Sequence, residues 1–173
     1  MLLLDVDGVL NALAQDLPPG WQRGRFNGYV LSWDPTVTSR LRAWHEAGRV
    51  ELQWLTTWTS DADALLAEPM GLPRGLRVHE RADAPVGFSG RFGGAPGWWK
   101  LAAARAVADG EPGRRIVWID DDLADQAADT EAWLAASPQV LVVAPALATG
   151  LTHAQLDAVE AWLDRDPDGP LHT

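Results

Sequence analysis

Met1-Leu2-Leu3-Leu4-Asp5-Val6-Asp7-Gly8-Val9-Leu10 opens the chain: an apolar run that meets two aspartates and a glycine. A short continuous apolar stretch ended by polar groups reads as a buried strand, so residues 1–7 are expected to form one, with the acids at its carboxyl end. Two carboxylates closing a buried strand are costly unless something offsets their charge. Gly8 suits the sharp chain reversal that must follow.

Outward from this stretch, strand and helix signals alternate. Residues 21–33 hold Asn27-Gly28 between β-formers, the strongest short hairpin signal, because a type I′ turn needs positive φ at both central residues. Asp34-Pro35 opens a helix, with Asp as cap and Pro in the first turn, and Gly48 stops it. Val50 to Leu55 reads as a second strand of the main sheet, and Ser60-Asp61 starts a short helix that ends before Pro69. Leu76 to Val78 is a weaker strand. Residues 80–97, rich in Gly, Pro and Ala, are a long loop, functional or mobile. A helix from Trp98 to Ala108 follows, stopped by Gly110. Ile116 to Ile119 is a strand, 123–136 a helix, and Val140 to Val143 the fifth strand. Thr152-His153-Ala154-Gln155 has the form of a capping box for a last helix. Residues 1–165 are expected to make one domain, and 166–173 a tail.

Such alternation implies an α/β protein: a Rossmann-like three-layer sandwich on a mainly parallel five-stranded sheet, with a small β-hairpin flap after strand 1. In such sheets ligands bind beyond the carboxyl ends of the strands. The polar clusters fall there: Asp5 and Asp7, Thr56 and Thr57, Asp120 to Asp122.

Composition bounds the rest. The chain has 173 residues, enough for one sizeable core, and its 47% hydrophobic content argues against disorder. Cysteine is absent, which excludes disulfides, thiolate zinc sites and cysteine nucleophiles. Met1 to Leu4 is too short for a signal peptide or a membrane span, so a cytoplasmic protein with no membrane partner is expected. The formal net charge of -10 repels a nucleic-acid backbone at long range but permits a local basic patch. Most of the ten tryptophans fall in or beside predicted elements, where packing is their ordinary use.

Asp5-Val6-Asp7-Gly8-Val9-Leu10 resembles the first motif of the haloacid dehalogenase-type (HAD) phosphohydrolases. Thr56, after Trp54-Leu55, resembles the second motif, Lys100 the third, and Asp120-Asp121, after Ile116-Val117-Trp118-Ile119, the fourth. The order agrees, and the motifs span most of the chain. The resemblance implies Mg²⁺-dependent hydrolysis of a phosphomonoester. In physical terms, phosphoryl transfer needs an in-line nucleophile and stabilisation of charge on the transferred group. Asp5 is the candidate nucleophile, giving an aspartyl-phosphate. The resemblance adds Asp7 as general acid and base, and Asp5, Asp121 and the Asp7 backbone carbonyl as ligands of Mg²⁺, with Asp120 near the ion. Hard oxygen donors suit that cation. Asp121-Asp122 remains an alternative metal pair. Thr56 would donate a hydrogen bond to the phosphoryl group, with Thr57 a close competitor, and Lys100 would supply a point charge. His45, His79, His153 and His172 show no ligand spacing.

Neither gap between the motifs leaves room for a folded cap, so the chain looks like a capless member with an open site. Open sites in this superfamily often take large substrates or use a partner subunit as a lid. Arg23, Arg25 and Arg91 would hold a distal phosphate or a nucleic-acid end, or are merely solvated. Trp58, Trp98 and Trp99 flank the motifs and would stack a base or pack the core. The run Trp54-Leu55-Thr56-Thr57-Trp58, with Gly150-Leu151-Thr152, is similar to HAD domains associated with RNA repair proteins, which implies a polynucleotide-end phosphatase as an alternative. A phosphotransferase needs more water exclusion than an open site gives. A receiver-like signalling module would end its first strand in an acidic pair and carry its phosphoacceptor later, unlike Asp5-x-Asp7. A domain that only binds a partner would not need the intact acidic set.

Overall fold

A computed structural model describes residues 1–14, 16–80 and 98–165 of the chain. Its elements are β1 (Leu2–Leu4), β2 (Gln22–Phe26), β3 (Tyr29–Trp33), α1 (Pro35–Glu46), β4 (Leu52–Trp54), β5 (Arg77–Val78), α2 (Trp99–Gly110), β6 (Ile116–Ile119), α3 (Ala127–Ala135), β7 (Val140–Val143) and α4 (His153–Leu163). A π-helical turn at Ala62–Leu66 and a 3-10 turn at Asp121–Ala124 complete them.

β1 lies in the middle of a five-stranded sheet, in the order β5-β4-β1-β6-β7, and every pairing is parallel. Its alternate residues feed two cores. Leu2 and Leu4 join Trp54, Val117 and Ile119 under Leu41 and Trp44 of α1 and Leu156 and Val159 of α4. Leu3 joins Ile116 and Trp118 under Leu101, Ala104 and Val107 of α2, with Trp133 of α3 packed against them. Burial on both faces is why these strands read as unbroken apolar runs. Helices on both faces of a parallel sheet make the expected three-layer α/β architecture.

β2 and β3 form the antiparallel hairpin, turning at Asn27 (φ 47°) and Gly28 (φ 84°). Leu31 and Trp33 of β3 are buried in the first core, so the flap is anchored at its base. Among the described residues nothing resembling a cap intervenes between the motif segments.

Several elements differ from the sequence reading. The first strand ends at Leu4, not at residue 7. From Val6 the chain folds back at once, with the N–H groups of Val9 and Asn11 both donating to the Val6 carbonyl. The segment after Asp61 winds as a π-helical turn, where Ala67 N–H reaches back five residues to Ala62 O. The helix expected over 123–136 is split: Asp120 caps the 3-10 turn through Asp122 N–H, and α3 starts only at Ala127. α2 runs on through Gly110. The 81–97 part of the Gly/Pro-rich loop, with Arg91, and residues 166–173, with His172, lie outside the described residues. Among the described residues no helix is long and apolar enough to cross a membrane.

Candidate active site

Asp5 leaves the end of β1 with 4% of its surface exposed, and Asp120 leaves the adjacent β6 with none. Between them stands Lys100, from the first turn of α2, itself only 1% exposed. Its Nζ donates to Asp5 Oδ2 at 2.6 Å and lies 2.8 Å from Asp120 Oδ2 and 3.8 Å from Asp122 Oδ2. Burial by itself pushes the ammonium pKa down, but the charges of Asp5 and Asp120 outweigh it and hold Lys100 above the usual lysine value. A buried lysine at a helix N-terminus is unfavourable in isolation, so this one is kept there by its carboxylates. The other oxygen of Asp5 accepts the Val6 N–H at 2.7 Å, which fixes the carboxylate's rotamer.

One ammonium does not neutralise this cluster. Asp5, Asp120 and Asp121 each present a carboxylate oxygen, all within 4.8 Å of one another. Asp120 Oδ2 is fully buried, and it shares the Lys100 ammonium, 2.8 Å away, with Asp5. Burial first, and then the charge of Asp5, lift the Asp120 carboxyl well above the ordinary range despite Lys100. Burial and the charges of Asp122 and Asp5 push Asp121 up to about 6. A surplus of hard, partly desolvated carboxylate oxygens around a single ammonium is a donor set that fits Mg²⁺. Asp122 sits at the edge of the cluster, its side chain 39% exposed. Gly8 completes the approach of the two loops: a Cβ there would fall 2.2 Å from Asp121 Cγ, and its φ is 68°. Glycine's missing side chain and its positive φ are both used.

Asp7 stands beside this group with its two oxygens held by neutral donors. Asn11 Nδ2 donates to Oδ1 at 2.7 Å, and Trp58 Nε1 donates to Oδ2 at 2.9 Å. Thr56, fully buried past the end of β4, accepts the Trp58 N–H on its hydroxyl oxygen at 3.3 Å. Its own proton has no acceptor among the described residues. Thr57 follows, half-buried, with no side-chain hydrogen bond among the described residues.

The fold thus brings Asp5, Asp7, Gly8, Thr56, Trp58, Lys100, Asp120 and Asp121 to one edge of the sheet. Trp98 instead stacks on Trp118 at 4.8 Å between ring centroids, and Trp99 packs against the second core. Arg23 and Arg25 lie on the exposed hairpin, donating to Ser32 Oγ and the Gly28 carbonyl. His45 and His79 make structural hydrogen bonds, to Leu52 N–H and Gln53, and His153 contacts Thr36. Asn11 was not anticipated. Its signal was a buried amide in the otherwise apolar run Val9 to Ala12.

No curated protein and no solved structure matches the chain. A family model described as the HAD domain in Swiss Army Knife RNA repair proteins matches residues 1–156, a span that takes in every residue gathered at this edge. The chain therefore belongs to that family, the HAD domains of Swiss Army Knife RNA repair proteins.

Proposed function

We propose that the chain is a Mg²⁺-dependent phosphomonoester hydrolase that works through an aspartyl-phosphate on Asp5. The observation that carries this reading is the buried Asp5–Lys100–Asp120 bridge with Asp121 beside it, at the carboxyl ends of adjacent parallel strands. Asp5, Asp120, Asp121 and the Asp7 backbone carbonyl would hold the cation, which when bound offsets the charge of the carboxylates and the phosphoryl group. An Asp5 oxygen attacks phosphorus in line with the ester oxygen. As that P–O bond breaks, Asp7 gives its proton to the departing oxygen. Asp7 then takes a proton from water as the water oxygen attacks phosphorus. The bond to Asp5 breaks, and inorganic phosphate and the Asp5 carboxylate are restored. Thr56 and Lys100 hold the phosphoryl oxygens throughout.

The family favours a phosphorylated RNA end as the substrate. The open edge, free of a cap among the described residues, supports a large substrate of that kind. The test is turnover of p-nitrophenyl phosphate with and without Mg²⁺, beside Asp5→Asn. Metal-dependent turnover is expected, and the variant should lose at least about 10³-fold in kcat. Equal turnover by Asp5→Asn would remove Asp5 from the nucleophile's role. Oligonucleotides phosphorylated at the 3′ or the 5′ end, with nucleotides and sugar phosphates for comparison, then identify the substrate.

A further inference from the structure

We infer that Trp58 is a positioning residue for Asp7: its indole N–H, together with the Asn11 amide, aims the carboxyl that protonates the leaving group. This rests on the phosphatase reading above and adds a role that the four motifs do not contain. Each Asp7 oxygen accepts one N–H, from Asn11 at 2.7 Å and from Trp58 at 2.9 Å, so the plane of the carboxyl group is set. Neither donor is free to wander. Asn11 Oδ1 accepts the Ser32 N–H of β3 at 2.8 Å. The Trp58 ring meets Tyr29 of the hairpin edge-on, with centroids 5.7 Å apart. The hairpin tip is tied in turn to the same loop, Asn27 Nδ2 donating to Asp61 Oδ2 at 2.8 Å.

The backbone around Trp58 is shaped for the task. Its N–H donates to Thr56 Oγ1, and its carbonyl accepts the Asp61 N–H. Thr59, the next residue, has φ 50°, a left-handed conformation that a β-branched residue rarely adopts. Such strain costs on the order of 1–3 kcal/mol and persists where the surrounding contacts require it. Here it turns the chain immediately after the residue whose indole reaches Asp7. The hairpin is therefore more than a wall of the site: through Ser32 and Tyr29 it braces both donors to the acid.

A misaimed acid matters most where the departing oxygen is strongly basic. An alkoxide needs a proton to leave, whereas p-nitrophenolate is a weak base and departs without one. Trp58→Phe keeps an aromatic ring and removes the N–H. It should lower kcat/KM on an alkyl phosphomonoester by about 10–100-fold, a loss carried by kcat, and lower kcat/KM on p-nitrophenyl phosphate by less than about threefold; kcat/KM reports the steps up to the aspartyl-phosphate, so the water step that both esters share does not enter it. Trp58→His should recover part of the alkyl-ester rate, because imidazole Nε2 sits at the ring position of indole Nε1. Should Trp58→Phe fail to melt cooperatively, Tyr29→Leu carries the test: it leaves Asp7 and both its donors in place, removes the ring that meets the Trp58 indole edge-on, and should show a smaller loss of the same selectivity. Equal losses on both esters, a loss confined to KM as a base-stacking role would give, or no loss at all overturns the inference while wild-type turnover leaves the phosphatase reading standing. A wild-type chain that hydrolyses neither ester overturns both.

Discussion

Asp121 is a carboxyl pressed against Gly8 and set among other acids, and it holds its proton up to about pH 6, against 3.8 for an ordinary aspartate. Between those values the folded chain binds more protons than the unfolded one. Metal-free stability therefore falls as pH rises from about 4 to about 6, and above that the loss from this residue is complete. Asp120, raised by burial and by Asp5, acts with the same sign. A cation at this cluster competes with those protons. Mg²⁺ should raise the melting temperature clearly at about pH 7.5 and by less than half as much at about pH 5. Equal shifts at both values, or none, would detach the cluster from metal binding. These acids were legible in the sequence because charges that end buried apolar strands stand out against their surroundings. The two donors to Asp7 were not. Asn11 and the Trp58 N–H meet Asp7 only through the tight turn after β1 and the left-handed residue after Trp58, and neither is written in hydrophobic periodicity.

Among the elements, the legible ones carry strong local chemistry. Asn27-Gly28 dictates its turn, the runs around Leu3 and Val117 dictate strands, and Thr152 with Gln155 dictates the start of α4. The poorly legible ones depend on partners elsewhere. Asp120 spends an oxygen on Asp122 N–H, and this breaks the following helix into a 3-10 turn and α3. The π-helical turn at Ala62–Leu66 buries Ala62 and Leu66 while the hairpin tip holds Asp61. The start of α4 gives a quantitative case. Thr152 Oγ1 accepts the Gln155 N–H, and Gln155 Oε1 accepts the Thr152 N–H at 3.0 Å, a reciprocal cap on the outer surface. Thr152→Ala should cost about 1 kcal/mol, which in a chain of this size lowers the melting temperature by about 2–4 °C. The adjoining residue, Leu151, donates to the Val9 carbonyl in the turn behind Asp5. That bond comes from the backbone and should survive the substitution, so kcat is expected to stay at the wild-type value. An unchanged melting temperature would mean the cap contributes nothing. A fall in kcat would mean that the start of α4 sets the position of the turn that carries Asp5 and Asp7.

Across the whole molecule, charge and substrate pull in opposite directions, for a chain of net charge -10 belongs to a family named for RNA repair. Much of its positive charge is already engaged within the fold. Arg40 pairs with Asp157 and Glu160, Arg49 with Asp164, and Arg114 with Glu51. On the hairpin beside the site, Arg23 and Arg25 make hydrogen bonds to neutral oxygens instead. On the proposed function, that arrangement suits a protein that grips the terminal phosphate in its pocket and touches the strand behind it at about two further phosphates, without tracking it. Single-stranded backbone contacts contribute a salt slope of about -0.7 each, so two of them give about -1.4. Turnover of a single-stranded oligonucleotide with a terminal phosphate should then lose less than about 10-fold in kcat/KM between 50 and 200 mM salt, where six to ten contacts on a single strand would cost roughly 300-fold to 10⁴-fold. Replacing both Arg23 and Arg25 with alanine should flatten the remaining dependence while leaving p-nitrophenyl phosphate turnover unchanged. A steep salt dependence that survives the double substitution would place the strand on another face of the molecule.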